Sequence, residues 1–161
     1  MLWAKGHRLL IDYLAQGGPD VSRTPIDVYG EGDDLAEVSA AASAAQLDIR
    51  FCGGRDHADA ALHEYKVFVN PSQTEVLSTT TAEALAMGKF VVIQKHPSNE
   101  FFYQFANALT YETPSEFVQA LERALSSTPA PLSESESHAL SWAGATERFL
   151  STVHDLSLIH I

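Results

Sequence analysis

The sequence predicts an α/β fold in which an open parallel Rossmann-like sheet carries helices on both faces. Short apolar runs alternate with helix-like segments along most of the chain, which is the pattern of parallel strands joined by crossover helices. Two of these runs, at 66–71 and 89–94, contain continuous apolar stretches. Such stretches are typical of strands that are buried on both faces, so we expect helices to cover both sides of the sheet.

The first part of the chain contains three helix signals and two strand signals. A helical pattern ends at Gly17, and an Ala-rich stretch with an acidic start at Asp34 favours a second helix. The predicted elements are a helix at 7–17, a strand at 26–30, a helix at 34–46, a strand at 47–54 and a short helix at 57–65.

The second part continues the alternation. Pro71 ends a strand, Gly88 ends a helix, and Pro114 opens another helix. The predicted elements are a strand at 66–71, a helix at 80–87, a strand at 89–94, a helix at 98–107, a strand at 108–111, a helix at 114–127 and, after a Pro-rich break, an amphipathic helix at 134–154.

The length of 161 residues and a hydrophobic content of 45% fit one domain of ordinary size. We assign residues 1–127 to a Rossmann-like domain, whose first strand is expected to lie upstream because the helix at 7–17 follows the start so closely. Residues 128–154 form a linker and a terminal helix. Residues 155–161 end in an apolar run without an evident partner, which is typical of a non-native tail.

The charge balance limits the partners. The formal net charge of −11 disfavours nucleic acid and anionic membrane surfaces as partners of most of the exterior. The single cysteine, Cys52, excludes an internal disulfide and leaves too few thiols for a zinc cluster. We therefore expect no metal site. No signal peptide and no apolar run of about 20 residues is evident.

Ligands of such sheets bind at the carboxyl ends of the strands, and the polar stretch at 70–89 follows one of them. Thr79 and Thr80 place hydroxyls and backbone N–H groups at a helix N-terminus, which favours an anion. Glu83 fits two interpretations, a capping box with Thr80 or a ligand of ribose hydroxyls. Glu75 is either a solvated loop residue or an acceptor for sugar hydroxyls.

Two glycine-containing turns are further candidates, each with a plainer alternative. Lys5, directly before Gly6, can reach a phosphate or can be an ordinary surface lysine. Gly30 and Gly32 flank a turn where backbone can approach a ligand. The alternative is a simple strand-to-helix turn with Asp33 or Asp34 as the N-cap.

A cluster of charged residues follows the strand at 47–54. Arg55, Asp56, His57 and Asp59 lie within five positions. The carboxylates and the imidazole could act as acid–base groups or metal ligands, but Asp56 can also serve as the cap of the next helix.

Glu75 and Glu83, with Ala-Leu-Ala-Met-Gly after the second, resemble the E-x7-E signature of retaining GT-B glycosyltransferases, where it lies in the C-terminal nucleotide-sugar-binding domain. The stretches GRDHAD, HEYKVFVNPSQTEVLSTTTAEALAMGKFVV, HPSNEFF and LSWAGATERFL are very similar to the digalactosyldiacylglycerol synthase family of plants and algae. The similarity covers about residues 1–150, is densest at 51–102, and corresponds to the C-terminal half of such an enzyme.

This resemblance implies transfer of galactose from UDP-galactose to monogalactosyldiacylglycerol with retention, at the plastid outer envelope and without a cofactor. It implies that residues 1–127 bind the donor. Glu83 would hold the ribose hydroxyls and Glu75 the galactose. The remaining roles implied are Thr79 and Thr80 at the sugar and diphosphate, Lys5 at the leaving diphosphate, Gly30 and Gly32 lining the donor cleft, and Arg55 beside the uracil.

The same family pattern places acceptor binding and peripheral membrane contact in an N-terminal domain upstream. We therefore expect the 161 residues alone to bind UDP-galactose weakly and to transfer nothing. Two other functions stay open from the sequence. One is a related glycosyltransferase with a different acceptor, and the other is a non-catalytic nucleotide-sugar-binding domain.

Overall fold

The computed structural model describes residues 5–57, 59–72 and 78–156. In these ranges the chain forms α/β units in which every paired strand runs parallel with its neighbour. The strands are β1 Ile26–Val28, β2 Ile49–Phe51, β3 Val67–Asn70, β4 Phe90–Gln94 and β5 Ala108–Tyr111. The α-helices are α1 His7–Gln16, α2 Pro19–Ser22, α3 Leu35–Ala44, α4 Thr79–Ala86, α5 Pro114–Ser126, α6 Glu134–Leu140 and α7 Trp142–Leu156. Two 3-10 helices span Ala60–Glu64 and Pro97–Gln104.

The predicted parallel sheet is present among the described residues as two sheets. One pairs β1 with β2, and the other has the order β3-β4-β5. The register runs from Ile26 opposite Ile49 in the first sheet and from Val67 opposite Phe90 in the second. The expectation of one sheet is thus corrected, because β1 and β3 do not pair and a cavity lies between them.

Strand β4 lies at the centre of the core, as its apolar sequence predicts. Phe90 and Val92 pack with α1 and α5 on one face, whereas Val91 and Ile93 pack with α4 and the 3-10 helix Pro97–Gln104 on the other. Successive side chains of a strand point to opposite faces, so one five-residue strand contributes to both clusters. Strand β3 was predicted to be equally buried, but only Asn70 is buried in it because Val67, Phe68 and Val69 border the cavity.

The C-terminal region differs from the single helix predicted at 134–154. Ser141 adopts an extended backbone between α6 and α7. Its hydroxyl donates to His138 O at 2.7 Å and accepts from Gly144 N at 3.1 Å, so it ends one helix and begins the next. A Cβ on Gly144 would lie 2.2 Å from His138 O, which shows how closely the two helices approach.

The linker before α6 is attached to the domain by side chains. Asn107 donates from Nδ2 to Ala130 O and accepts from Ala130 N, both at 2.8 Å. Glu136 accepts from Ala106 N at 2.9 Å, and this bond together with the capping box of Ser133 lowers the pKa of the Glu136 carboxyl. Within the described residues, no helix is long and apolar enough to cross a membrane.

Candidate functional site

A cavity of about 660 Å³ opens at the carboxyl ends of β1, β2 and β3 and extends inward between β1 and β3. Its mouth is polar, because the loops after these strands and the start of α4 contribute to it. The lining residues at the mouth are Lys5, Gly30, Gly54, Arg55, His57, Ser72, Thr80 and Glu83. The position agrees with the rule that open parallel sheets bind ligands at the carboxyl ends of their strands.

Five of the eight residues predicted from the sequence lie together at this mouth, namely Lys5, Gly30, Arg55, Thr80 and Glu83. Gly32 and Thr79 are exposed, and neither is among the lining residues that the structure describes. Glu75 belongs to the segment 73–77, which lies outside the described residues. Gly30 has a φ of +127°, a conformation that favours glycine, and its N–H donates to Gly53 O at 2.8 Å.

Glu83 contacts the loop that follows β2. Its Oε2 lies 3.0 Å from His57 Nδ1, and the Glu83 side chain is 42% exposed. This contact connects α4 with the GGRDHAD loop across the mouth. A carboxylate has about four acceptor positions, so Glu83 can keep this bond and accept others from a ligand.

The helix cap at α4 differs from the one predicted. Ser78 occupies the N-cap and its Oγ accepts from Thr81 N at 3.3 Å, whereas Thr80 is already the second residue of the helix. Of the two interpretations of Glu83, the capping box with Thr80 is therefore wrong. Ser78 and the three threonines after it can all act as caps, so the residue types alone do not decide which one does.

A buried polar network holds both ends of the loop before α4. Asn70 donates from Nδ2 to Ser78 Oγ at 2.9 Å and accepts from Ser72 N at 3.0 Å. All three residues are buried, and Thr81 joins them with its hydroxyl 2.8 Å from Ser78 Oγ. The one sequence signal for this role is a polar residue that closes an otherwise apolar strand, and Asn70 was not among the predicted site residues.

Arg55 is held over an aromatic ring. Its Nη1 donates to Asp59 Oδ2 at 2.8 Å, and its guanidinium carbon lies 5.3 Å from the centre of the Tyr29 ring. Asp59 caps the 3-10 helix Ala60–Glu64 by accepting from Ala61 N at 2.8 Å, which lowers the pKa of Asp59 together with the nearby Arg55. The alternative in which Asp56 caps this helix is therefore wrong.

Beneath Arg55, a second network fixes Tyr29. Asp27 accepts two hydrogen bonds from Arg50, both at 2.7 Å, and one from the hydroxyl of Tyr65, which lies 2.6 Å from the hydroxyl of Tyr29. The side chain of Asp27 is only 7% exposed. The bond from Arg50, followed by that from Tyr65, lowers the pKa of Asp27, and the bond to Asp27 raises the pKa of Tyr65.

Lys89 is a buried lysine in the lining of the cavity. Its Nζ donates to the backbone carbonyls of Tyr65 and, at 3.3 Å, of His63, which end the 3-10 helix Ala60–Glu64. Burial lowers the pKa of Lys89. The lysine thus ties the segment between β2 and β3 to the start of β4. Among the residues that the structure describes, no group of three His, Cys, Asp or Glu could hold a metal ion.

Comparison with known proteins identifies the family of this chain. Residues 1–127 match the family model described as glycosyl transferases group 1. The chain belongs to this family. The matched residues include all strands and helices from α1 to α5, and therefore every residue at the mouth of the cavity.

This member of the family has relatives in plants. It is 53% identical over 150 residues to digalactosyldiacylglycerol synthase 1, chloroplastic, of Arabidopsis thaliana, which covers 93% of this chain and 19% of the relative. It is 46% identical over 157 residues to digalactosyldiacylglycerol synthase 2, chloroplastic, of the same plant, which covers 98% of this chain and 33% of the relative. The chain thus spans about a fifth to a third of the length of these relatives.

Solved structures confirm the fold. WaaG, a glycosyltransferase involved in lipopolysaccharide biosynthesis, superposes with a TM-score of 0.64 and 18% identity over 92% of this chain and 40% of its own. The catalytic domain of cholesterol-alpha-glucosyltransferase from Helicobacter pylori superposes with a TM-score of 0.62 and 15% identity over 90% of this chain and 91% of its own. The GT-B α/β fold class predicted from the sequence is therefore correct.

Proposed function

We propose that this chain is the donor-binding part of a galactosyltransferase that converts monogalactosyldiacylglycerol and UDP-galactose into digalactosyldiacylglycerol. The observation that carries the proposal is the meeting of Glu83, Thr80, Arg55 and Lys5 at one polar mouth, in a chain 53% identical to a digalactosyldiacylglycerol synthase. The product in this proposal is taken from the names of the relatives. The geometry supplies groups suited to a nucleotide sugar.

Each part of the donor has a candidate partner. Glu83 accepts the ribose hydroxyls while His57 keeps its carboxylate in place. The N–H groups at the start of α4, with Thr79 and Thr80, face the diphosphate, since a helix N-terminus favours negative charge. Arg55, stacked on Tyr29, lies beside the uracil.

The remaining roles concern the sugar and the leaving group. Lys5 neutralises charge on the diphosphate, and Gly30 and Gly32 let the backbone approach the donor. Glu75 accepts from the galactose hydroxyls.

In a retaining transfer, the acceptor hydroxyl attacks the anomeric carbon on the face that the diphosphate leaves. The bond between that carbon and the phosphate oxygen breaks, and the departing phosphate oxygen takes the acceptor proton. Because negative charge develops on the diphosphate, fixed donors such as Lys5 and the α4 N–H groups supply the main stabilisation. This route needs no separate general base.

The proposed location and acceptor of this protein are based on its relatives, whose names place them in the chloroplast. We propose a plastid protein associated peripherally with the outer envelope. The galactolipid acceptor and the membrane are contacted by parts of the longer protein outside these 161 residues. The charge of −11 is consistent with such a division and with the absence of a nucleic-acid partner.

Calorimetric titration of the chain with UDP and UDP-galactose tests the donor role. We expect Glu83→Ala to weaken the binding of both ligands roughly 10- to 100-fold, because hydrogen bonds to a charged group contribute about 1.5–3 kcal/mol. The affinity of Glu83→Gln for these ligands should lie between those of the wild type and Glu83→Ala. Glu122→Ala, at an exposed position of α5 away from the cavity, is the matched control.

Equal affinities of the wild type and Glu83→Ala, with equal melting temperatures, would remove Glu83 from the donor site. The acceptor needs a separate assay on the full-length protein. UDP-galactose labelled in the sugar is supplied with vesicles that contain monogalactosyldiacylglycerol, and the product linkage is read by NMR. An α-linked digalactolipid is expected, whereas transfer only to other lipids or to soluble sugars would contradict the proposed acceptor.

A further inference from the structure

Arg55 reaches the mouth of the cavity from a loop that gives its side chain little support. It is an exposed residue between β2 and the 3-10 helix Ala60–Glu64. A long side chain in such a loop has many rotamers, and fixing one of them costs free energy when a ligand binds. The contacts beneath Arg55 therefore decide how well its N–H groups are aimed at a ligand.

Two contacts restrict the guanidinium of Arg55. Its Nη1 donates to Asp59 Oδ2 at 2.8 Å, and its carbon lies 5.3 Å from the centre of the Tyr29 ring. Because the attraction of a cation acts over the whole face of a ring, it places the guanidinium only as well as the ring itself is placed. The bond to Asp59 uses one N–H of a group that carries several, all of them donors. The position of Tyr29 thus determines where the other donors of Arg55 lie.

The ring of Tyr29 is in turn placed by Tyr65. The two hydroxyl oxygens are 2.6 Å apart, and the rings meet edge to face with their centres 6.0 Å apart. The Tyr65 hydroxyl donates to Asp27, a carboxylate that Arg50 holds with two bonds of 2.7 Å. Since the only proton of the Tyr65 hydroxyl goes to Asp27, its oxygen accepts from the hydroxyl of Tyr29. Each hydrogen bond in this series therefore has a defined direction.

Tyr65 is held at its backbone as well as at its hydroxyl. Its carbonyl accepts from Nζ of the buried Lys89, directly before β4. Its hydroxyl partner Asp27 belongs to β1, which lies in the other sheet. Tyr65 is thus fixed from both sheets, which do not pair with each other among the described residues. The series of contacts that begins at this residue ends at Arg55.

We propose that Tyr65 is a positioning residue that sets the preference of the donor site for uracil, acting through Tyr29 on Arg55. This inference rests on the proposed function, in which Arg55 lies beside the uracil of UDP-galactose. Uracil, like thymine, presents a carbonyl oxygen at C4, where cytosine presents an amino group. A guanidinium has only donors, so it bonds to the uracil oxygen and meets another donor in cytosine. A firmly placed Arg55 therefore favours UDP over CDP, and a loosely placed one does so less.

Calorimetric titration of the full-length protein with UDP and with CDP tests this role. The quantity compared is the ratio of the two dissociation constants. We expect the wild type to favour UDP about 10- to 100-fold, because a hydrogen bond to a charged group is made with one base and not with the other. Tyr65→Phe keeps the ring and removes the hydroxyl, and it should lower this ratio by about threefold or more. Arg55→Ala should reduce the ratio to about 3 or less.

Further variants show whether Tyr65 acts through Arg55. The effects of residues in one network are not additive, so Tyr65→Phe should not lower the ratio further in Arg55→Ala. Tyr29→Phe leaves a ring below Arg55 and removes only the hydroxyl that bonds to Tyr65, so it should also lower the ratio. Should Tyr65→Phe fail to fold, Tyr29→Phe decides the question.

Tyr103→Phe is the matched control. It removes a tyrosine hydroxyl that accepts from His96 N at 2.8 Å and donates to His96 O at 2.9 Å. Tyr103 is not among the described residues that line the cavity. The preference of this variant for UDP should therefore equal that of the wild type.

The outcomes separate this inference from the function on which it rests. A wild type that binds neither UDP nor CDP would contradict the proposed function itself and this inference with it. A ratio that falls in Arg55→Ala and stays unchanged in both tyrosine variants would leave the proposed function intact and overturn the role of Tyr65. Equal losses of affinity for UDP and CDP in Tyr65→Phe would show that its hydroxyl only stabilises the fold, and would also overturn that role.

Discussion

At the scale of single residues, the site depends on polar groups that the structure holds in fixed positions. His57 orients Glu83, Asn70 holds both ends of the loop before α4, and Asp27 fixes the tyrosines below Arg55. None of these three supports was assigned from the sequence, since most of their partners lie 8 or more positions away. Glu83 itself was found, because its spacing from Glu75 matches a family signature.

The difference in stability between the wild type and Asp27→Asn should depend on pH in a defined direction. The pKa of Asp27 is lowered in the folded chain by Arg50 and Tyr65, so its contribution is present above the unfolded value of about 3.9. This contribution disappears as the pH falls through the pKa that Asp27 has in the folded chain. We expect the variant to lose about 1–3 kcal/mol of unfolding free energy at pH 7 and progressively less below pH 4.

Chemical denaturation of both proteins between pH 3 and pH 7 measures this difference. Asp12→Asn, an exposed aspartate on α1, is the matched control. A difference between Asp27→Asn and wild type that stays constant over the whole range would show that the charge of Asp27 does not contribute.

At the scale of elements, the ends of helices and strands follow from local signals in the sequence. The contacts between elements do not follow from such signals. Pro114 begins α5 and the Thr113–Glu116 capping box completes it, as the residues favour. The break at Ser141 was missed, because a serine interrupts a helix only when its side chain bonds to neighbouring backbone groups. Strand β3 is less buried than its apolar sequence suggests, because burial depends on its neighbours.

The placement of α1 beside β3 can be tested with a pair of glycines. Gly6 and Gly88 have φ values of +81° and +74°, so alanine is strained by a similar amount at each, roughly 1 kcal/mol. Only Gly6 lacks room for a Cβ, which would meet Pro71 O, whereas nothing lies within 4 Å of a Cβ on Gly88. Gly6→Ala should therefore lower the melting temperature clearly more than Gly88→Ala.

Thermal unfolding followed by circular dichroism measures the two variants side by side. Equal losses would mean that the contact between Gly6 and Pro71 does not restrain the start of α1.

At the scale of the whole molecule, donor and acceptor functions are expected to lie in different parts of a longer protein. The described residues bring the donor-side groups to one mouth, and the chain spans about a fifth to a third of the relatives. Trp142 and Phe149 of α7 are 89% and 66% exposed. Under the proposed function, the present chain carries the groups that bind the donor, and other parts of the longer protein hold the acceptor.

The isolated chain should bind UDP-galactose weakly and transfer no galactose to monogalactosyldiacylglycerol. The reason is that the acceptor must be held within reach of the donor, and that positioning accounts for a large part of catalysis. The measurement compares the chain with the full-length protein at equal concentration, with labelled UDP-galactose and lipid vesicles. Robust lipid galactosylation by the 161 residues alone would contradict the division of functions.

The sequence by itself determined the α/β class, the order of strands and helices, and the region of the polar cavity mouth proposed as the donor site. These follow from hydrophobic period, from helix start and stop residues, and from a motif of two glutamates, all of which are local in the chain. Only the tertiary structure decided that Asn70 bonds to Ser78 at the start of α4, that His57 meets Glu83, and that a cavity separates β1 from β3. Such features depend on residues far apart in sequence that compete for the same partner, and the packed fold alone selects which of them pair.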